Sequence, residues 1–194
     1  MILTISGASG AGKTTIARAL LEHIPHTKFV RSYTTRAPRQ NDIPGEFTYL
    51  DRAMFQSMRL TNDFLWAADI GSTSVGTRVA DLDAALNDQV KTWVMVLIPE
   101  VIPKLYAHAE SIGKSHAIRS VYILAENDEV LRERMISRGD ADSQIEERLA
   151  SCQIFQEDAK ASSIPYHWIR NDGTIQEAVE QVETVLKREG TVAK

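Results

Sequence analysis

The chain has 194 residues, 43% hydrophobic and 25% charged, which is long enough to bury a sizeable core and too apolar for a disordered tail. A formal net charge of −4 argues against a bulk nucleic-acid or membrane-surface role, while a local arginine cluster could still bind a small anion. No apolar run is long enough to span a bilayer, no signal-like region precedes the first strand, and the single cysteine, Cys152, permits no internal disulfide, so a cytoplasmic protein is expected.

In chain order, Ile2-Leu3-Thr4-Ile5 reads as a short strand, and Gly7-Ala8-Ser9-Gly10-Ala11-Gly12-Lys13-Thr14 follows it directly. The pattern G-x-x-x-x-G-K-[ST] needs its glycines so that the backbone can turn sharply and point successive N–H groups at a phosphate. Lys13 adds a point charge near the β and γ oxygens, and the Thr14 hydroxyl can take one position on Mg²⁺. Apolar residues at helical spacing from Thr14 to Leu21 predict a helix whose N-terminus faces the anion. Gly7, Ser9, Gly10, Ala11, Gly12, Lys13, Thr14 and Thr15 are therefore the predicted nucleotide-phosphate-binding residues.

Lys28–Tyr33 is β-rich and reads as the next strand, and from Thr34 to about Gly76 short segments separated by Pro38, Pro44, Gly45 and Gly71 suggest a small inserted lobe. Thr92–Ile98 is a nearly continuous apolar run, as in a strand buried on both faces. Ser120–Leu124 is a further strand. Helical patterns over Asp128–Ser137 and Asp142–Ala161 flank an irregular stretch, Arg138–Ser143, with Cys152 placed as a small buried hydrophobe. Tyr166–Arg170 is a strand closed by the turn-forming Asn171-Asp172-Gly173, and Ile175, Ala178, Val179, Val182, Val185 and Leu186 line one face of a last helix. This alternation predicts an α/β fold with a parallel sheet. The five histidines show no zinc-ligand spacing.

The run Ser32-Tyr33-Thr34-Thr35-Arg36-Ala37-Pro38-Arg39 closely resembles the guanylate kinase family, which has S-x-T-T-R-x-P-R at that place. Gly76-Thr77, Arg134–Gly139 with Glu147-Arg148-Leu149, and Asn171-Asp172 resemble further family segments, so the resemblance covers nearly the whole chain. It implies a three-layer P-loop NTPase fold in one domain of residues 1–194. The core would be 1–33 and 77–194, the acceptor-binding lobe about 34–76 and the lid about 134–148. It implies that Ser32, Arg36, Arg39, Phe47 and Thr77 bind the acceptor, that Lys13, Arg134, Arg138 and Arg148 are catalytic, and that Asn171 lies beside the ATP adenine. Guanidinium forks suit this role because they grip phosphate oxygens in a bidentate way that lysine cannot reproduce. Arg132 and Arg188 read instead as solvated helix positions.

Departures from the family pattern fall in the acceptor site. The family glutamate that accepts hydrogen bonds from guanine is missing from Phe64-Leu65-Trp66-Ala67, and Trp66 reads as lobe packing. Phe47 stands where the family has a phosphate-binding tyrosine, with Tyr49 two residues on, and Val75 replaces the tyrosine before Gly76. The strand aspartate is also absent, which leaves Glu100, Asp69 or water to complete a metal shell. The resemblance thus implies an ATP- and Mg²⁺-dependent kinase acting on a phosphorylated small acceptor, a nucleoside monophosphate such as GMP, as a monomer or homodimer. The alternatives are a kinase resembling the ribose 1,5-bisphosphate phosphokinases and a non-catalytic guanylate-kinase-like binding module.

Overall fold

The computed structural model describes residues 1–40, 42–137 and 139–188. The elements in order are β1 (Ile2–Gly7), α1 (Lys13–His23), β2 (Thr27–Phe29), β3 (Ser32–Thr34), β4 (Phe47–Tyr49), α2 (Arg52–Leu60), β5 (Phe64–Ile70), β6 (Thr73–Arg78), α3 (Val79–Asn87) and β7 (Thr92–Val96). There follow α4 (Ile102–Ser111), β8 (Ile118–Leu124), α5 (Asp128–Ser137), α6 (Asp142–Ala161), β9 (Tyr166–Arg170) and α7 (Ile175–Arg188), with single 3₁₀ turns at Pro99–Val101 and Ser115–Ala117. The chain falls into two compact units. The first takes Met1–Ile2, His26–Met95 and Lys104–Ile118, and the second takes Leu3–Pro25, Val96–Pro103 and Arg119–Lys194.

In the first unit a four-stranded sheet runs in the order β4-β3-β6-β5. β3 pairs with β4 in parallel and with β6 antiparallel, and β5 and β6 form an antiparallel hairpin. That hairpin turns in two residues, Gly71-Ser72, because Ile70 stands opposite Thr73 and Gly71 adopts the left-handed φ of 58° that such a turn requires. The Asp51 side chain caps α2 by accepting from the Met54 N–H at 2.7 Å. Phe55, fully buried on α2, stacks on Phe64 of β5 with ring centroids 4.6 Å apart and so fixes the helix to the sheet. Elsewhere in this unit β2 pairs in parallel with β7, Thr27 opposite Thr92 and Phe29 opposite Val94.

The single strand expected over Lys28–Tyr33 is thus two strands in two different sheets. The Val30 N–H still reaches the Val94 carbonyl at 3.0 Å, whereas the Ser32 N–H bonds the Glu46 carbonyl at 2.8 Å, so the chain changes sheets at the exposed Arg31. Within the stretch read as short segments, α2 and the long β5–β6 hairpin are regular elements that the sequence reading did not anticipate.

In the second unit β1, β8 and β9 lie side by side in that order, with β8 and β9 parallel from Ser120 opposite Tyr166 to Leu124 opposite Arg170. Every residue of β1 is buried, and its polar Thr4 donates a 2.7 Å hydrogen bond to Ser120 Oγ, so the hydroxyls are satisfied inside the core. α1 buries Ile16, Ala17 and Leu20 and packs against α7, which buries Ala178, Val179, Val182 and Val185. A capping box starts α7: the Thr174 N–H donates to Glu177 Oε2 at 2.8 Å, and the Glu177 N–H donates to Thr174 Oγ1 at 3.2 Å. α5 and α6 occupy the two predicted ranges, and Cys152 is buried, its thiol pushed up from its ordinary pKa by that burial. Among the described residues no helix is long and apolar enough to cross a membrane.

Candidate active site

The nucleotide-binding candidates lie in the second unit. The loop between β1 and α1 contains Gly10 at φ 82° and Gly12 at φ 96°, conformations in which a side chain is strained. Space enforces glycine as well: a Cβ on Gly12 would stand 2.4 Å from Asn171 Nδ2, and one on Gly7 would stand 2.5 Å from the Ile123 carbonyl oxygen. α1 begins at Lys13 with no side-chain cap and no acidic residue in its first turn. The positive end of its dipole therefore meets no acidic side chain of its own first turn, an arrangement that favours an anion there. Lys13 curls back over the loop, its Nζ donating to the Gly7 carbonyl at 2.8 Å and the Ala8 carbonyl at 2.7 Å. Thr14 and Thr15 are exposed on the first turn, and Ser9 and Ala11 complete the loop.

Two predicted residues brace this loop from elsewhere in the chain. Asn171, buried at the end of β9, donates through Nδ2 to the Ala11 carbonyl at 2.7 Å, and its Oδ1 is buried without a partner among the described residues. Arg134 on α5 donates to the Gly10 carbonyl and to the Asn171 carbonyl, each at 3.3 Å. The structure thus gathers Gly10, Ala11, Gly12, Arg134 and Asn171 into one cluster. Arg148 on α6 is apart from these contacts, paired with Asp140 at 2.7 Å. Arg132 pairs with Glu146 on the surface, while Arg138 and the Arg188 side chain lie outside the described residues. Glu100 is exposed on the 3₁₀ turn after β7. Among the described residues no three His, Cys, Asp or Glu side chains gather as a metal cluster.

The acceptor candidates lie in the first unit. Arg36 follows β3 and forms a two-pronged ion pair with Asp42, Nη1 to Oδ2 at 2.7 Å and Nη2 to Oδ1 at 2.6 Å. Its guanidinium also lies over the Phe47 ring, 4.4 Å from the centroid. The same Asp42 carboxylate accepts from the Tyr49 hydroxyl at 2.6 Å and from the Arg39 backbone N–H at 2.7 Å. The Arg36 guanidinium foremost, then the tyrosine and the amide, hold the Asp42 carboxyl far below the usual carboxylate range, and the carboxylate in turn raises Arg36. The Arg39 side chain is exposed, and its guanidinium has no partner among the described residues. Ser32 faces Phe47 across the β3–β4 register. Thr77 is fully buried opposite Trp66, its hydroxyl unpartnered among the described residues. Trp66 is itself buried, as expected of a packing residue. Asp69 is occupied in this lobe by Arg59 at 3.1 Å and Ser74 Oγ at 2.6 Å.

A family model described as Guanylate kinase matches residues 1–189. The chain belongs to the guanylate kinase family. The guanylate kinase of Helicobacter hepaticus is 33% identical over 189 residues, covering 96% of this chain and 90% of its own. That of Rickettsia bellii is 31% identical over 193 residues, covering 97% and 94%. The crystal structure of guanylate kinase from Anaplasma phagocytophilum superposes with a TM-score of 0.70 at 21% identity, over 98% of this chain and 86% of that one, which establishes the shared α/β P-loop NTPase fold. Membership of the guanylate kinase family makes the protein an enzyme of the nucleoside monophosphate kinase type, a transferase and not a bare binding module. Nothing in these likenesses supports the sugar-phosphate alternative.

Sequence reasoning missed Asp42, on which Arg36, Arg39 and Tyr49 converge. The available signal was electrostatic: an acid three residues beyond the second of two spaced arginines, in a Pro- and Gly-bounded loop. No spacing rule for catalytic carboxylates selects it.

Proposed function

We propose that this guanylate kinase family member transfers the γ-phosphoryl group of ATP to a nucleoside monophosphate, with GMP the first acceptor to test and with guanine read less strictly than by a glutamate-bearing relative. The uncapped start of α1 beneath a glycine loop that Asn171 and Arg134 brace supports the donor half of this reading most directly. In it, loop N–H groups and Lys13 hold the β- and γ-phosphates, leaving the Gly7 and Ala8 carbonyls as Lys13 turns to the ligand. Thr14 would offer Mg²⁺ a hydroxyl oxygen of the kind it accepts beside phosphate oxygens and water, and the ion would supply positive charge against the phosphates.

Residues 34–76 serve in this reading as the acceptor lobe, Arg36 and Arg39 taking the acceptor phosphate beside Ser32 and Phe47. Residues 134–148 serve as the lid, Arg134, Arg138 and Arg148 stabilising the charge that spreads over the transferring phosphoryl group. Asn171 flanks the adenine. For the base, the lobe offers Thr77, whose buried hydroxyl lacks a partner among the described residues, and the apolar Trp66, neither of which reproduces a carboxylate that accepts two guanine N–H bonds. A site that keeps phosphate anchors and loses the base-reading acid discriminates weakly among bases, because a wrong base leaves no buried charge unpaired.

The test is a coupled assay of ATP turnover over GMP, AMP, UMP and ribose phosphates. Turnover with nucleoside monophosphates and a modest preference for GMP is expected. A kcat/KM for GMP more than about 10⁴-fold above all others would show that different polar groups read guanine, and no turnover with any nucleotide would overturn the proposal.

A further inference from the structure

A guanidinium has two edges on which it can hold an oxyanion with paired N–H donors, one formed by Nη1 and Nη2 and the other by Nε and Nη2. In Arg36 the first edge is taken by Asp42, at 2.7 and 2.6 Å, and the second hydrogen of Nη1 goes to the Ala37 carbonyl at 3.0 Å. Its flat face rests on Phe47. Among the described residues, only Nε–H and the second hydrogen of Nη2 are left without a partner, and they lie on the same edge. We propose that Asp42 is a positioning residue for the acceptor phosphate, locking Arg36 through its outer edge so that the Nε–Nη2 edge is presented, already oriented, to that phosphate. This rests on the reading that Arg36 holds the acceptor.

Asp42 also sets the second arginine. By accepting from the Arg39 N–H and the Tyr49 hydroxyl, one carboxylate ties the loop bearing Arg39 to β4 and to Arg36 at once. Holding Arg36 in one rotamer before the ligand arrives removes an ordering cost from acceptor binding. The competing idea is that Asp42 is a stand-in anion which the acceptor displaces. Displacement would strip four donors from a carboxylate whose side chain is only 17% exposed, which is costly, while the edge that a phosphate needs has no hydrogen-bond partner among the described residues.

The decisive experiment measures KM for GMP, KM for ATP and kcat in the native enzyme, Asp42→Asn, Asp42→Glu and Arg36→Ala. Asp42→Asn is expected to raise the GMP KM about 10- to 100-fold with the ATP KM unchanged, the scale of a lost charge-assisted contact. Asp42→Glu, which restores the charge, is expected to recover part of it. An unchanged or lower GMP KM in Asp42→Asn, with Arg36→Ala raising it, overturns the positioning role alone. An unchanged GMP KM in Arg36→Ala overturns the acceptor reading beneath it. Should Asp42→Asn not fold, the ¹⁵N resonance of Arg36 Nε in the native enzyme decides. GMP is expected to shift that Nε–H while the Nη resonances stay bound to Asp42, and release of Asp42 on GMP addition overturns the proposal.

Discussion

Lys13 shows how a single side chain is prepared for a ligand by borrowed partners. Its ammonium already bonds two backbone carbonyls of the loop it serves, so removing it takes away a charge at the phosphates without leaving a hole in the core. Lys13→Ala is expected to keep the native circular dichroism and melting profile and to lose about 10²–10³ in phosphoryl-transfer rate, measured under saturating ATP. Retained turnover would sink the P-loop role. Asp42 gives a second expectation at this scale, in pH. Its carboxyl is held well below the usual range in the folded state, so it contributes stability that is fully present above the unfolded carboxylate pKa, about 3.9, and is lost as pH falls toward the folded value. The gap in urea midpoint between the native protein and Asp42→Asn should be constant above about pH 5 and narrow steadily below it. A gap that widens in acid would contradict the sign.

Among the elements, the loop between β1 and α1 is the least tolerant of change. Gly12→Ala places a methyl 2.4 Å from Asn171 Nδ2 at a φ of 96°. The left-handed conformation alone costs about 1–2 kcal/mol, and the clash displaces either the loop or Asn171. The variant is expected to fold with a lowered melting temperature and to bind ATP at least tenfold more weakly by titration calorimetry. α7 was legible because its apolar residues recur on one face, and the strands around Val94, Val121 and Ile169 because apolar residues run together there, while α5 and α6 fill their predicted ranges although their apolar residues gather only weakly on one face. Other elements were hidden for specific reasons. Three-residue strands such as β2 and β3 carry β-propensity but no information on which sheet they join. α2 was masked because Phe55 is its only buried residue, although Asp51 ahead of it is an ordinary cap signal. Gly71 was read as a separator when, with Ser72, it forms a two-residue hairpin turn. Arg36 and Arg39 were visible through their motif, whereas Asp42 matters through contacts that only the folded loop creates.

On the scale of the whole molecule, the nucleotide loop near one end of the chain depends on residues near the other. Asn171 Nδ2 holds the Ala11 carbonyl, Arg134 reaches both Gly10 and Asn171, and α1 packs on α7. During synthesis, then, the glycine loop emerges first and waits. Its bracing is incomplete until strand β9 and the turn after it have been made, some 160 residues later. A chain stopped at Ile164 carries the entire P-loop sequence yet is expected to show no fluorescent-ATP binding, and full-length Asn171→Ala is expected to bind more weakly than the native chain. Binding by the stopped chain at native strength would show that the loop holds its shape alone. If it does not, a growing polypeptide cannot sequester ATP until the segment around Asn171 has been made, and nucleotide capture reports that β9 and its turn are in place.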